Sequence, residues 1–243
     1  MSANTPDEMS ELRRTSAAHA QAEKGGDRLR TLLLGVAAVV LIGALLAAVI
    51  IFQGVGGGTV GPVDHPPRAA ATAHGIAIGS PGAPVHVVVY EDFTDSGSGR
   101  FEMASRDYLH TDAAAGLVYV EYRPVALAGN DAPLAAFASV LDTAGAKPAL
   151  RFHDLLFQQR ATGAGPVTDD ELVSLAQKAG AKGSAVQAAT GSGRHQPWVA
   201  KAAAAATKAG VARTPTVLVD GSRMAGPIDQ VVDRLETRIA KED

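Results

Sequence analysis

The sequence predicts an α/β domain interrupted by a block of helices and preceded by a single membrane-spanning helix. Three observations carry this. β-Branched runs, VHVVVY at Val85–Tyr90 and GLVYVEY at Gly116–Tyr122, flank a helical stretch, and a third, VLVD at Val217–Asp220, comes near the end. From Asp131 to Gly210 the chain is rich in alanine and prone to helix. Thr31–Phe52 is a run of 22 residues without a charge or a proline.

Residues 1–30 hold five acids and five bases and few large apolar side chains. They cannot build a core and are expected to be a disordered tail. The run that follows spans about 33 Å at the helical rise, enough for a hydrocarbon core of about 30 Å. It is longer than a signal-peptide apolar region and ends in bulky Val49-Ile50-Ile51-Phe52, so an uncleaved anchor over 31–53 is expected. Lys24, Arg28 and Arg30 precede it, and the next basic residue is Arg68. The positive-inside rule then places the N-terminus in the cytoplasm and the C-terminal part outside. Residues 54–74 are Gly-rich, then Pro-rich, and read as a flexible tether. Its two histidines, His65 and His74, read as solvated side chains.

Residues 75–243 are one domain by size. Val85–Tyr90 reads as a buried strand. Phe101–His110 reads as a helix, with His110-Thr111-Asp112 as its capping end, and Gly116–Tyr122 as a second strand. The helical block breaks at Lys147-Pro148, Gly163–Pro166 and Gly191–Pro197, which implies four or five short helices. Trp198, the sole tryptophan, reads as a core or inter-helix anchor. Val217–Asp220 is a third strand, Gly221-Ser222 a turn and Arg223–Ala225 a fourth strand. Ile228, Val231, Val232, Leu235 and Ile239 recur at helical spacing and mark a C-terminal amphipathic helix.

Composition removes several functions. The chain has no cysteine, which excludes disulfides, thiol nucleophiles, thiolate-bound zinc and iron–sulfur clusters. A formal net charge of -3 argues against a basic surface for nucleic acid. No pair of His, Asp or Glu has metal-ligand spacing on one predicted element, there is no phosphate-binding Gly loop, and no cofactor or metal is expected.

Gly79–Phe101, GSPGAPVHVVVYEDFTDSGSGRF, resembles the start of the DsbA-like branch of the thioredoxin superfamily. Members carry G-x-P-x-A-P-V, an apolar strand, then D-F-x-C-P-x-C-x-x-F. Gly79, Pro81, Ala83, Pro84, Val85, Asp92, Phe93 and Phe101 match. Tyr122-Arg123-Pro124 is similar to the family's second-strand exit, Phe152-His153-Asp154 and Leu172–Gly180 to its helical insertion. Gly210-Val211 and Thr214-Pro215-Thr216 are similar to its cis-proline loop. The resemblance covers residues 75–243 and implies a thioredoxin-like fold with a DsbA-type helical insertion.

At the family's Cys-Pro-x-Cys, this chain has Asp95-Ser96-Gly97-Ser98. Thiol–disulfide exchange needs a thiolate, so the oxidoreductase activity that the family implies is excluded. A buried acid that many members place six residues earlier is Val89 here. The resemblance puts Asp95–Ser98 at a helix N-terminus, where Asp and Ser are preferred caps. They either cap the helix or form part of a ligand surface. The resemblance also makes Arg213, Thr214, Pro215 and Thr216 a cis-proline loop, with Thr214 in the place that offers main-chain hydrogen bonds to an extended peptide. Either that groove survives, or Pro215 persists because the turn requires it.

The expected function is therefore a redox-inactive, non-enzymatic protein-binding module on the outer face of a cell membrane. It would be a subunit of an envelope complex or a chaperone-like holder, with an envelope or membrane protein as partner. Two alternatives stand beside it. One is an enzyme of different chemistry at Asp95 and Ser98, although His86, His110, His153 and His195 lie in no nucleophile-elbow context. The other is a small-molecule or lipid-binding domain with a cavity between the core and the helical insertion. An exposed apolar groove at Thr214-Pro215 favours the first reading, a convergent His–Ser–Asp geometry the second, a large apolar cavity the third.

Overall fold

β-Branched side chains decide the centre of the sheet. In a computed structural model, which describes residues 67–127, 129–162 and 165–242, Val85, Val87 and Val89 point into one core and Tyr90 into another. The tail 1–30, the span 31–53 and the tether up to residue 66 lie outside the described residues. Among the described residues, no helix is long and apolar enough to cross a membrane.

Two short strands come first, β1 (Ala69–Ala71) and β2 (Ile76–Ile78). β3 (Val85–Glu91) leads into α1 (Ser96–Ala115) and β4 (Val118–Pro124). β3 and β4 are parallel, paired from Val85↔Val118 to Glu91↔Pro124, so β3–α1–β4 is a crossover unit. Five helices follow: α2 (Ala132–Ala144), α3 (Ala146–Ala161), α4 (Asp169–Ala179), α5 (Gly183–Ser192) and α6 (Gln196–Lys208). The chain returns as β5 (Thr216–Val219), antiparallel to β3, then β6 (Ser222–Arg223) and α7 (Ile228–Ile239). The sheet has six strands in the order β1-β2-β4-β3-β5-β6.

The main core joins Val85, Val87 and Val89 to Phe101 and Leu109 of α1, Leu235 and Ile239 of α7, and Phe137, Phe152 and Phe157 of the helical block. Behind the sheet, Tyr90 packs with Val125, Ala206 and Val211. α6 therefore covers the second face. Trp198 is half-buried, with its ring 6.1 Å from Phe137.

Several boundaries move, each for a physical reason. α1 starts five residues before the predicted Phe101, because Asp95 caps it, and runs to Gly116, which closes it at φ 82°. His110 thus lies inside the helix instead of capping its end; burial lowers its pKa, and its Nε2 has no hydrogen-bond partner. The break expected at Lys147-Pro148 falls at Gly145, φ 85°, and Pro148 sits in the first turn of α3, where a missing N–H costs nothing. The last hairpin turns on Asp220 (φ 50°) and Gly221 (φ 78°), the pair of positive φ values that a two-residue hairpin requires, so Ser222 belongs to β6. β1 lies within the stretch that reads as tether, and β2 falls where the sequence predicts no element. Three-residue strands of alanine and isoleucine carry too little pattern to be seen before β4 is there to pair with them.

Candidate functional site

The first turn of α1 has poor intrinsic helix propensity, reading Ser96-Gly97-Ser98-Gly99. Asp95 compensates. Its backbone is extended (φ −84°, ψ 127°), and its carboxylate accepts the Gly97 N–H at 3.0 Å and the Ser98 N–H at 2.9 Å. This is an N-cap that satisfies two of the helix's unpaired donors. The Ser98 hydroxyl donates to the same carboxylate at 2.9 Å and accepts the Asp92 N–H at 3.2 Å. Asp92 in turn accepts the N–H and hydroxyl of Thr94 and the N–H of Leu127, which holds the loop between β3 and α1.

The Thr214–Pro215 peptide bond is cis. The Thr214 hydroxyl lies 3.1 Å from the Asp95 carboxylate, to which it donates. Partial burial works to raise the Asp95 pKa, but the two N–H groups and the hydroxyls of Ser98 and Thr214 outweigh it and hold the carboxyl below its usual value. Gly97 lies under the loop: a β-carbon there would stand 3.1 Å from Pro215 Cδ and 3.0 Å from the Asp95 carboxylate. Thr216 donates to the Arg213 carbonyl at 2.8 Å, and Arg223 reaches the Gly210 carbonyl at 2.9 Å, so the loop is held at both ends. Among the described residues, the main-chain N–H and carbonyl of Thr214 make no hydrogen bond.

The two predicted sets therefore meet. Asp95, Ser96 and Gly97 face Arg213, Thr214, Pro215 and Thr216 across a groove of about 610 Å³. Ser98 is buried and lines no part of it; it braces Asp95 from behind. The far wall comes from residues that the sequence did not single out for the site, chiefly Met224 and Ile228, with Arg100 and Arg223 at the rim. Only the return of β5–β6–α7 beside α1 brings them there.

No histidine hydrogen-bonds Ser96 or Ser98 among the described residues. Of the four considered, His153 is fully buried and engaged with Glu91 and Asp154. A Ser–His–Asp geometry is therefore not formed around these serines. What the site offers is a half-buried acid at a helix terminus, a main-chain edge, and a wall in which Met224 and Ile228 stand beside charged side chains.

A family model described as thioredoxin matches residues 71–237. BdbD from Bacillus subtilis is 23% identical, with a TM-score of 0.62, over 74% of this chain and 98% of that one. MdbA, a thiol-disulfide oxidoreductase from Corynebacterium diphtheriae, is 18% identical, with a TM-score of 0.56, over 68% of this chain and 91% of its own. Oxidised DsbA from Mycobacterium tuberculosis is 24% identical, with a TM-score of 0.51, over 74% and 100%. At these identities the likeness establishes a shared fold. No curated protein matches the chain.

Proposed function

The chain belongs to the thioredoxin family, and from its DsbA-like fold without a single cysteine we propose that it is a redox-inactive, non-enzymatic protein-binding module. Its partner is an envelope or membrane protein that lays an extended segment along the cis Thr214–Pro215 loop. Residues 31–53 hold it in the membrane, with residues 1–30 in the cytoplasm and residues 75–243 outside. Anchoring raises the effective concentration toward membrane partners, so a weak groove suffices.

One observation carries the reading. The Thr214 main chain is free to pair with an added strand, at the edge of a groove walled by Met224 and Ile228. The groove at this loop is mixed in character, with Met224 and Ile228 beside Asp95, Arg100 and Arg223, and suits a segment with both apolar and charged side chains. Among the described residues no histidine hydrogen-bonds Ser96 or Ser98, which weighs against new chemistry at Asp95 and Ser98.

The test is a pull-down of the tagged full-length protein from native membranes, beside a Thr214→Arg, Pro215→Ala variant whose circular dichroism matches the parent. A stoichiometric partner retained by the parent and lost by the variant is expected. A partner retained by both would move the interface off the groove, and no partner at all would overturn the reading.

A further inference from the structure

A second polar centre lies inside the domain, built from three separate elements. Glu91 ends β3, Glu102 lies in the second turn of α1, and His153 lies in the middle of α3. All three are 0% exposed. One ligand atom from each falls within 4.8 Å of the others. His153 Nε2 stands 2.6 Å from a Glu91 oxygen, and His153 Nδ1 stands 3.0 Å from Asp154. The Tyr122 ring lies 4.7 Å from the imidazole, and Phe157 meets it edge-on at 5.0 Å.

The donors here do not match the acceptors. Neither oxygen of Glu102 has a hydrogen-bond partner, nor does the second oxygen of Glu91. Buried polar atoms are normally paired, and a buried carboxylate without a donor is costly. Two carboxylates face one imidazole, which can contribute at most a single positive charge.

We propose that Glu91, Glu102 and His153 bind a divalent transition-metal ion, zinc in the first instance. The donor set is one imidazole nitrogen and two carboxylates with no sulfur, which suits zinc. Asp154 supplies the supporting contact by accepting the Nδ1 proton of His153, and the Nε2 proton now donated to Glu91 is the one that the ion would replace. Tetrahedral ligands about 2.1 Å from zinc stand about 3.4 Å apart, so Glu91 and His153 need to separate by less than about 1 Å. The ion would give Glu102 the partner it lacks and tie the sheet, α1 and the helical block together. No ligand spacing reveals this in the sequence, because each residue comes from a different element.

The test uses the full-length protein in mild detergent, purified from cells grown with added zinc. About one zinc per chain is expected by elemental mass spectrometry. Zinc K-edge absorption should show only nitrogen and oxygen at about 2.0–2.1 Å, with a single imidazole. Glu102→Gln keeps the volume and should drop the zinc content at least tenfold at unchanged circular dichroism, while a His65→Ala, His74→Ala variant keeps it. Less than a tenth of an equivalent in the parent overturns the proposal, as does equal zinc in Glu102→Gln. If Glu102→Gln does not fold, the absorption of the parent decides, and two or more imidazoles per zinc overturn the site.

Discussion

Asp95 occupies the position where the resemblance places a reactive sulfur, and its surroundings hold a carboxylate well. It takes two N–H groups and two hydroxyls, and its carboxyl is held below the usual value despite partial burial. Asp95→Ala is expected to cost about 1 kcal/mol, the usual worth of an N-cap, read as a lower urea midpoint at unchanged slope. Asn caps almost as well but carries no charge, so Asp95→Asn isolates the electrostatic part. The folded-state pKa lies below the unfolded one, so the charge-linked stability is present above about pH 4 and lost as pH falls through the lowered value. The stability gap between the parent and Asp95→Asn is therefore expected to be constant near pH 7 and to close in acid. A gap independent of pH would assign the cap to geometry alone.

The first turn of α1 holds two glycines that separate helix propensity from packing. Gly99 has room: a β-carbon there would meet only the aliphatic stem of Arg160, at 3.5 Å. Gly99→Ala is expected to stabilise the domain, by up to about 1 kcal/mol, through the unfolded state and helix propensity. Gly97 has no such room. Its added methyl would press on Pro215 and on a carboxylate fixed by four donors. Gly97→Ala is expected to lose that gain and to destabilise by about 1 kcal/mol. Thermal unfolding of the two variants side by side reads the sign directly. At the other end of the domain, α7 docks through Val231, Val232, Leu235 and Ile239, as its spacing predicts. Leu235 is fully buried, and Leu235→Ala is expected to cost about 2–5 kcal/mol.

For the whole molecule, a thioredoxin-type scaffold stands complete around a helix terminus with no sulfur. The scaffold itself should then still support the chemistry if sulfur is restored. A helix N-terminus lowers a thiol pKa, and the Ser98 hydroxyl already lies 2.9 Å from Asp95. The double variant Asp95→Cys, Ser98→Cys is expected to form an internal disulfide and to exchange it with dithiothreitol, one dithiothreitol oxidised per disulfide reduced to the dithiol, with turnover when oxidised glutathione is supplied as the terminal oxidant. The parent should not exceed the rate without protein. A double variant that forms the disulfide yet gains no exchange would place the loss in the surroundings, where Val89 stands in the core on β3.

The strands β3, β4 and β5, the C-terminal helix and the replacement of the cysteine motif were legible in the sequence, and the resemblance pointed to the cis bond before Pro215. Each depends on residues close together along the chain: a β-branched run, a helical repeat, a motif whose cysteines are replaced. The short strands β1 and β2 were not legible, because a strand of three residues exists only through its neighbours. The extent of α1 needed the Asp95 contacts, since its first turn has the propensity of a loop. The tertiary structure alone decided the rest. It set Asp95 against Thr214 across 119 positions of chain and built a groove wall from Met224 and Ile228. It also gathered Glu91, Glu102 and His153 in one buried place. Local pattern determines which face of an element seeks burial. Which distant side chains then meet is decided by packing those faces together, and side chains that meet only there leave no period or spacing in the sequence.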